Sequence, residues 1–298
     1  MTARSEIVGR SVLIGGCGRS GTTILGKLIG SFEGIEYYFE PAFLHKFIYE
    51  IKNIPQDRWQ SIFEWYIYDD LLLNSLAGRN LNWNLNDDSC VLNFKSDNVK
   101  QRLSTSHRKL DLEAQAANSR VAFKIPDLVF QMPTIRSIYP EISSIAIFRK
   151  PEFTIPSVHQ KAWFHNHALD IDSPMPQIAF RTHDKRRVPL WVPDEDLEYW
   201  LSLAEIDRAA YYYIKANEMV LSQLSGLCLI CYDSLIDMPE TELAKIGRYL
   251  QADFSTKTRE VMNSLRNNER ELPSSWNEIN ADLRSKARDL YDQLFAKL

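Results

Sequence analysis

The stretch GGCGRSGTTILGKLIG, residues 15–30, concentrates glycines and hydroxyls in a spacing suited to phosphate chemistry. A loop that wraps a nucleoside triphosphate follows G-x-x-x-x-G-K-[ST]: glycines turn backbone N–H groups toward phosphate, lysine reaches the β- and γ-phosphates, and the hydroxyl holds magnesium. Here Gly16 and Gly21 keep the frame and Thr23 keeps the hydroxyl, but Thr22 stands at the lysine position. The loop is therefore poorly suited to a triphosphate. It is still suited to an anion, because a strand, a glycine turn and a helix start bring unpaired first-turn N–H groups to the positive end of a helix dipole. Arg19 adds a guanidinium fork, and Ser20, Thr22 and Thr23 add hydroxyl donors around Gly18 and Gly21, a set matched to one 5′-phosphate.

The elements needed to hold such a loop are present. The apolar runs SVLIGG, RVAFKIP, SSIAIFR and LCLICYD read as buried strands, and they alternate with helical patterns, such as Ile24, Leu25, Leu28 and Ile29 on one face. This rhythm predicts an α/β fold, a three-layer α/β/α arrangement with a central parallel sheet and a P-loop-like strand-loop-helix. A helical pattern begins at Asp194 and runs through Trp200 and Tyr212 to Leu224, and Leu283, Leu290 and Leu294 mark an amphipathic C-terminal helix. With no internal repeat, residues 1–298 read as one domain carrying acceptor-side insertions at about 45–120 and 166–193.

Composition narrows the ligand. The 298 residues are 45% hydrophobic and 25% charged, enough for a substantial core. Thirty-five basic and 39 acidic residues leave a formal charge of −4, which argues against a general nucleic-acid binder, so an anionic ligand must be met by local charge. The run Val12-Leu13-Ile14 is too short for a signal-peptide core and no stretch approaches a membrane span, so the reading is cytoplasmic. Cys228 and Cys231 lie three apart in a strand, on opposite faces, as buried thiols rather than a redox or metal pair. The HNH at 165–167 lacks further ligands at metal spacing, so no metal is expected.

At RSGTT the sequence resembles the sulfotransferases that use 3′-phosphoadenosine 5′-phosphosulfate (PAPS), in which this loop binds the 5′-phosphosulfate. The family's second motif, a strand ending in arginine with a helix serine eight residues later, is matched by Arg149 and Ser157 in SSIAIFRKPEFTIPSVHQKAW. The resemblance implies that both bind the 3′-phosphate. Lys161, one helical turn after Ser157, would add a cation on the same face. Pro156 departs from the family and fits only in a first helical turn. FKIP places Lys124 where the family directs a lysine at the transferring group, and ICYD places Tyr232 near the nucleotide, with Asp233 where glutamate is commoner. Ser274, two residues before Trp276, resembles a C-terminal serine that some members bring to the sulfate; a helix cap is an equal reading.

Sulfuryl transfer needs a base for the acceptor and positive charge for the leaving phosphate. The members acting on small phenols and steroids carry a histidine two residues after the lysine, where this chain has Pro126. Golgi-type and several bacterial members use a glutamate after the first helix, and EYYFEP supplies Glu40, flanked by aromatic residues that favour proton acceptance. His45 and Glu36 are its rivals. The acceptor is expected to be a small molecule or glycan bearing a hydroxyl or amine, with a leaning toward carbohydrate by analogy alone. Trp83 could stack on a sugar, and Arg181, Lys185, Arg186 and Arg187 could attract an anion, although a solvated loop is the commoner fate of such a run. A P-loop kinase or a silent nucleotide-binding module are the alternatives.

Overall fold

Parallel pairing of five short strands organises the computed structural model, which describes residues 2–174, 179–265 and 271–298. Strands β1 (Val12–Gly15), β2 (Ile35–Phe39), β3 (Arg120–Lys124), β4 (Ser143–Phe148) and β7 (Leu227–Cys231) form the sheet in the order β2-β3-β1-β4-β7. Each of the four expected runs is a strand, and EYYFEP contributes β2. The registers Phe39↔Lys124, Gly15↔Ala146 and Phe148↔Cys231 align the C-terminal ends along one edge. That edge is where open α/β sheets hold ligands.

Alternation along the strands separates two apolar faces. Val12, Ile14, Ala122, Ile145, Ile147, Cys228 and Ile230 face helices α1 (Thr22–Gly30) and α5 (Pro239–Leu250). Ala146, Phe148, Leu229 and Cys231 face α3 (Pro151–His159), α4 (Glu205–Ser222) and α6 (Ala281–Phe295). Leu13, Val121 and Phe123 meet the aromatic helices from α2 (Ala42–Phe47) to Asn74–Leu76. The result is the expected three-layer α/β fold, with Cys228 and Cys231 buried on opposite faces.

Two expectations change. The helical pattern from Asp194 breaks into Leu197–Ser202 and α4, because Leu203 and Ala204 are extended and the buried Arg208 guanidinium donates to the carbonyls of Trp200 and Leu201 instead. The basic run is a regular hairpin rather than a loop, although Lys185 and Arg186 remain exposed to solvent. It forms the antiparallel hairpin β5 (Phe180–His183) and β6 (Arg186–Pro189), where Arg181 pairs with Asp194 and Arg187 donates to the carbonyls of Ile171 and Ser173. No helix among the described residues is long and apolar enough to cross a membrane.

Candidate active site

The loop after β1 can take its shape only with glycine at two positions. Gly16 (φ 134°) and Gly21 (φ 100°) lie in backbone regions that L side chains rarely adopt. A Cβ at Gly16 would strike the Ile147 carbonyl, and one at Gly21 would strike the Tyr232 ring. Gly21 caps α1 without a side-chain acceptor, so the helix presents its first N–H groups to the cavity beside the hydroxyls of Thr22 and Thr23. Ser20 departs from the expectation. Its side chain is buried next to Cys17 and does not line the cavity, because Arg19 in left-handed conformation (φ 69°) turns the chain over it.

One strand over, β4 ends at Phe148 and delivers Arg149. The guanidinium lies 4.4 Å from the Tyr232 ring centroid, and Tyr232, at the end of β7, also packs on Gly21. Helix α3 starts at Pro151 and carries Pro156 in its interior, not in its first turn. Pro156 costs the helix one N–H donor, yet Ser157 still faces the loop, and Arg19 Nε donates to its Oγ at 3.1 Å. Lys161 is not on that face. Helix α3 ends at His159, Ala162 turns the chain with φ 57°, and Lys161 is exposed outside the cavity. Ser274 is likewise exposed and does not line the cavity; it opens the turn Ser274–Glu278, which is anchored by buried Trp276.

On the other side of the loop, Phe39 and Lys124 are paired at the ends of β2 and β3, and the Glu40 amide donates to the Lys124 carbonyl at 2.8 Å. Glu40 then turns left-handed (φ 49°), which aims its carboxylate back at the Lys124 ammonium in an ion pair. The neighbour of Glu40 is thus a cation as well as the aromatic residues expected from the sequence; Lys124 also lies 4.6 Å from the Phe39 ring centroid. His45, on α2, lines the same end, and burial pushes its imidazole below the ordinary value. Glu36 points away. Burial opposes its charge, but Lys95, Arg102 and Ser75 outweigh that and hold the carboxyl at about 2, so it clamps residues 75–102 onto β2.

A cavity of about 760 Å³ joins these groups. Five neighbouring strand ends contribute, in spatial order, Glu40, Lys124, the loop with Arg19, Arg149 and Tyr232, with Ser157 opposite. The structure adds residues that the sequence did not single out. Asp127 lines the cavity, where burial raises its carboxyl from 3.8 to about 6 despite the Tyr212 hydroxyl donating to it at 2.7 Å. Trp163, Phe164, Phe180 and Tyr212 wall the same end, and Lys27 lines the cavity while paired with Asp88 at 3.0 Å. The placement of Lys27 was legible, since it follows Thr23 by one helical turn. Asp127 after Pro126 reads as an ordinary turn residue. Trp83 is not among the lining residues.

No family model matches this chain, and no curated protein matches it in sequence. Among solved structures it is similar to the sulfotransferase domain from the curacin biosynthetic pathway, at 15% identity over 95% of this chain and 96% of the other, with a TM-score of 0.49. It is also similar to a sulfotransferase from Alicyclobacillus acidocaldarius (11% identity, 96% and 95% covered, TM-score 0.46) and to one from Mycobacterium avium (9% identity, 98% and 77% covered, TM-score 0.48).

Proposed function

We propose that this chain, acting as one catalytic domain, transfers a sulfuryl group from PAPS to a hydroxyl or amine of a small-molecule or glycan acceptor. The observation that carries the reading is the order of groups along the sheet edge: a carboxylate–ammonium pair, then a lysine-free anion loop, then a second cationic site. A donor with phosphates at both 5′ and 3′ needs two anion sites about a nucleoside apart. The loop amides with Thr22 and Thr23 suit the first, and Arg149 with Ser157 suits the second. Tyr232 and Arg19 connect the two.

Chemistry then falls to the carboxylate–ammonium pair. Glu40 takes the proton of the acceptor hydroxyl as its oxygen forms a bond to sulfur, and the bond from sulfur to the 5′-phosphate oxygen breaks. Lys124, beside Glu40, offsets negative charge on the moving group, while loop N–H groups and Arg19 receive the charge left on the phosphate. No metal is called on in this scheme. The test is thermal: adenosine 3′,5′-bisphosphate should raise the melting temperature well above the effect of ATP with magnesium. Equal shifts from both would overturn the donor assignment.

A further inference from the structure

Asp127 is an ionisable group at the acceptor end to which sulfuryl transfer gives no task. It follows Lys124 by three residues in left-handed conformation (φ 60°) and lines the cavity. Its Oδ1 accepts from the Tyr212 hydroxyl, and the oxygen of that hydroxyl accepts from the Gly18 amide at 2.9 Å, which fixes the direction of both bonds. Lys124 is engaged by Glu40, and Asp127 has no ion pair among the described residues. With its carboxyl at about 6, Asp127 is mostly anionic at pH 7.5. A partly desolvated anion that shares the charge of Lys124 with Glu40 and has no ion pair of its own among the described residues is costly, and a ligand cation would offset that cost. The walls around it fit the same ligand. The Phe164 ring lies 5.3 Å from that of Tyr212, and Trp163 and Phe180 face the cavity beside them. Aromatic faces attract ammonium groups and stack on flat apolar bodies.

We infer that the acceptor end binds a protonated primary amine, carried on an aromatic or apolar body, through Asp127, leaving a hydroxyl elsewhere on that body for Glu40. This rests on the sulfuryl-transfer reading and narrows its acceptor to amino alcohols and hydroxylated aromatic amines.

Three probes with one phenol ring and different head groups test it: tyramine (ammonium), tyrosol (hydroxyl) and 4-hydroxyphenylacetate (carboxylate). Each is titrated by calorimetry at pH 7.5 into full-length protein saturated with adenosine 3′,5′-bisphosphate. Tyramine should bind about tenfold or more tighter than tyrosol, with the carboxylate weakest. Asp127→Asn, which keeps an acceptor oxygen for Tyr212, should reduce tyramine to the level of tyrosol and leave bisphosphate affinity unchanged. Tyr212→Phe should keep the ammonium preference. Absent tyramine binding, equal binding of tyramine and tyrosol, or a preference surviving Asp127→Asn would each overturn the inference. If Asp127→Asn does not fold, the ranking of the three probes on the unmodified protein decides. Failure to bind the bisphosphate would strike the sulfuryl-transfer reading instead, and the same titration without nucleotide would still test Asp127.

Discussion

At the β1–β4–β7 end of the cavity, each functional side chain is held by another of the same site: Arg19 donates to Ser157, and Tyr232 lies against both Gly21 and Arg149. At the β2–β3 end Glu40 pairs with Lys124 and Tyr212 donates to Asp127, and the remaining wall arrives from residues 163, 164, 180 and 212, well separated in the chain. The first end is built by strand termini and the turns that follow them. The second is built by packing between segments that have no periodic relation to the sheet. On the proposed reading, the end assigned to phosphate is set by backbone geometry, while the end assigned to the acceptor can change with the segments that cover it.

The sharpest way to break this comparison is at Glu40. Glu40→Gln keeps the shape and one acceptor oxygen but cannot take a proton, so turnover should fall by about 10² to 10⁴. Bisphosphate affinity should hardly change if the two ends are separable. Single-turnover kinetics paired with calorimetry would show it, and equal losses in both would mean that the Glu40–Lys124 pair shapes the loop as well.

Next in size is a pH effect at Asp127. Its folded-state carboxyl titrates at about 6 against an ordinary 3.8, with burial as the main cause, so between these values the folded protein binds more protons than the unfolded chain. Stability should fall as pH rises through this window, then level off above it. The fall is on the order of 3 kcal/mol at most. Asp127→Asn should remove that slope, as measured by urea unfolding from pH 4 to pH 7. A variant with the wild-type slope would place the titration elsewhere.

These two residues also mark how far the sequence could be read. Glu40, Lys124 and Arg149 end strands, and strands announce themselves by apolar runs, so their position on one edge followed from the α/β pattern. The loop was legible because its glycines answer a local backbone demand. Lys161 was misplaced because the end of α3 at His159 depends on a turn at Ala162 that carries no glycine signal. Asp127 was overlooked for the same kind of reason. What distinguishes it is burial, which raises its carboxyl more than the Tyr212 hydroxyl lowers it, a tertiary property without a trace in FKIPD.

At the nucleotide end, Arg149→Ala should weaken adenosine 3′,5′-bisphosphate by roughly 2 kcal/mol, through loss of a charge-assisted contact in a half-desolvated site. Adenosine 5′-phosphate, which lacks the 3′ group, should lose much less. Calorimetry giving the same loss for both would assign Arg149 to structure, since it also stacks on Tyr232.

The smallest effect separates the two anion sites from each other. Ser157→Ala is compatible with the helix, so α3 should persist, but Arg19 Nε loses its acceptor and the cavity loses one hydroxyl. The cost in bisphosphate affinity should be about 1 kcal/mol, a typical net value for one hydrogen bond. Its distribution is the informative part. If Ser157 acts directly on a 3′-phosphate, adenosine 5′-phosphate should bind the variant as it binds the wild type. If Ser157 acts by orienting Arg19 toward the loop, both ligands should weaken together, and Arg19→Lys should reproduce the loss because an ammonium lacks the fork that spans loop and helix. The second outcome would mean that the two sites are one coupled unit, with the hydrogen bond between Arg19 and Ser157 as the link.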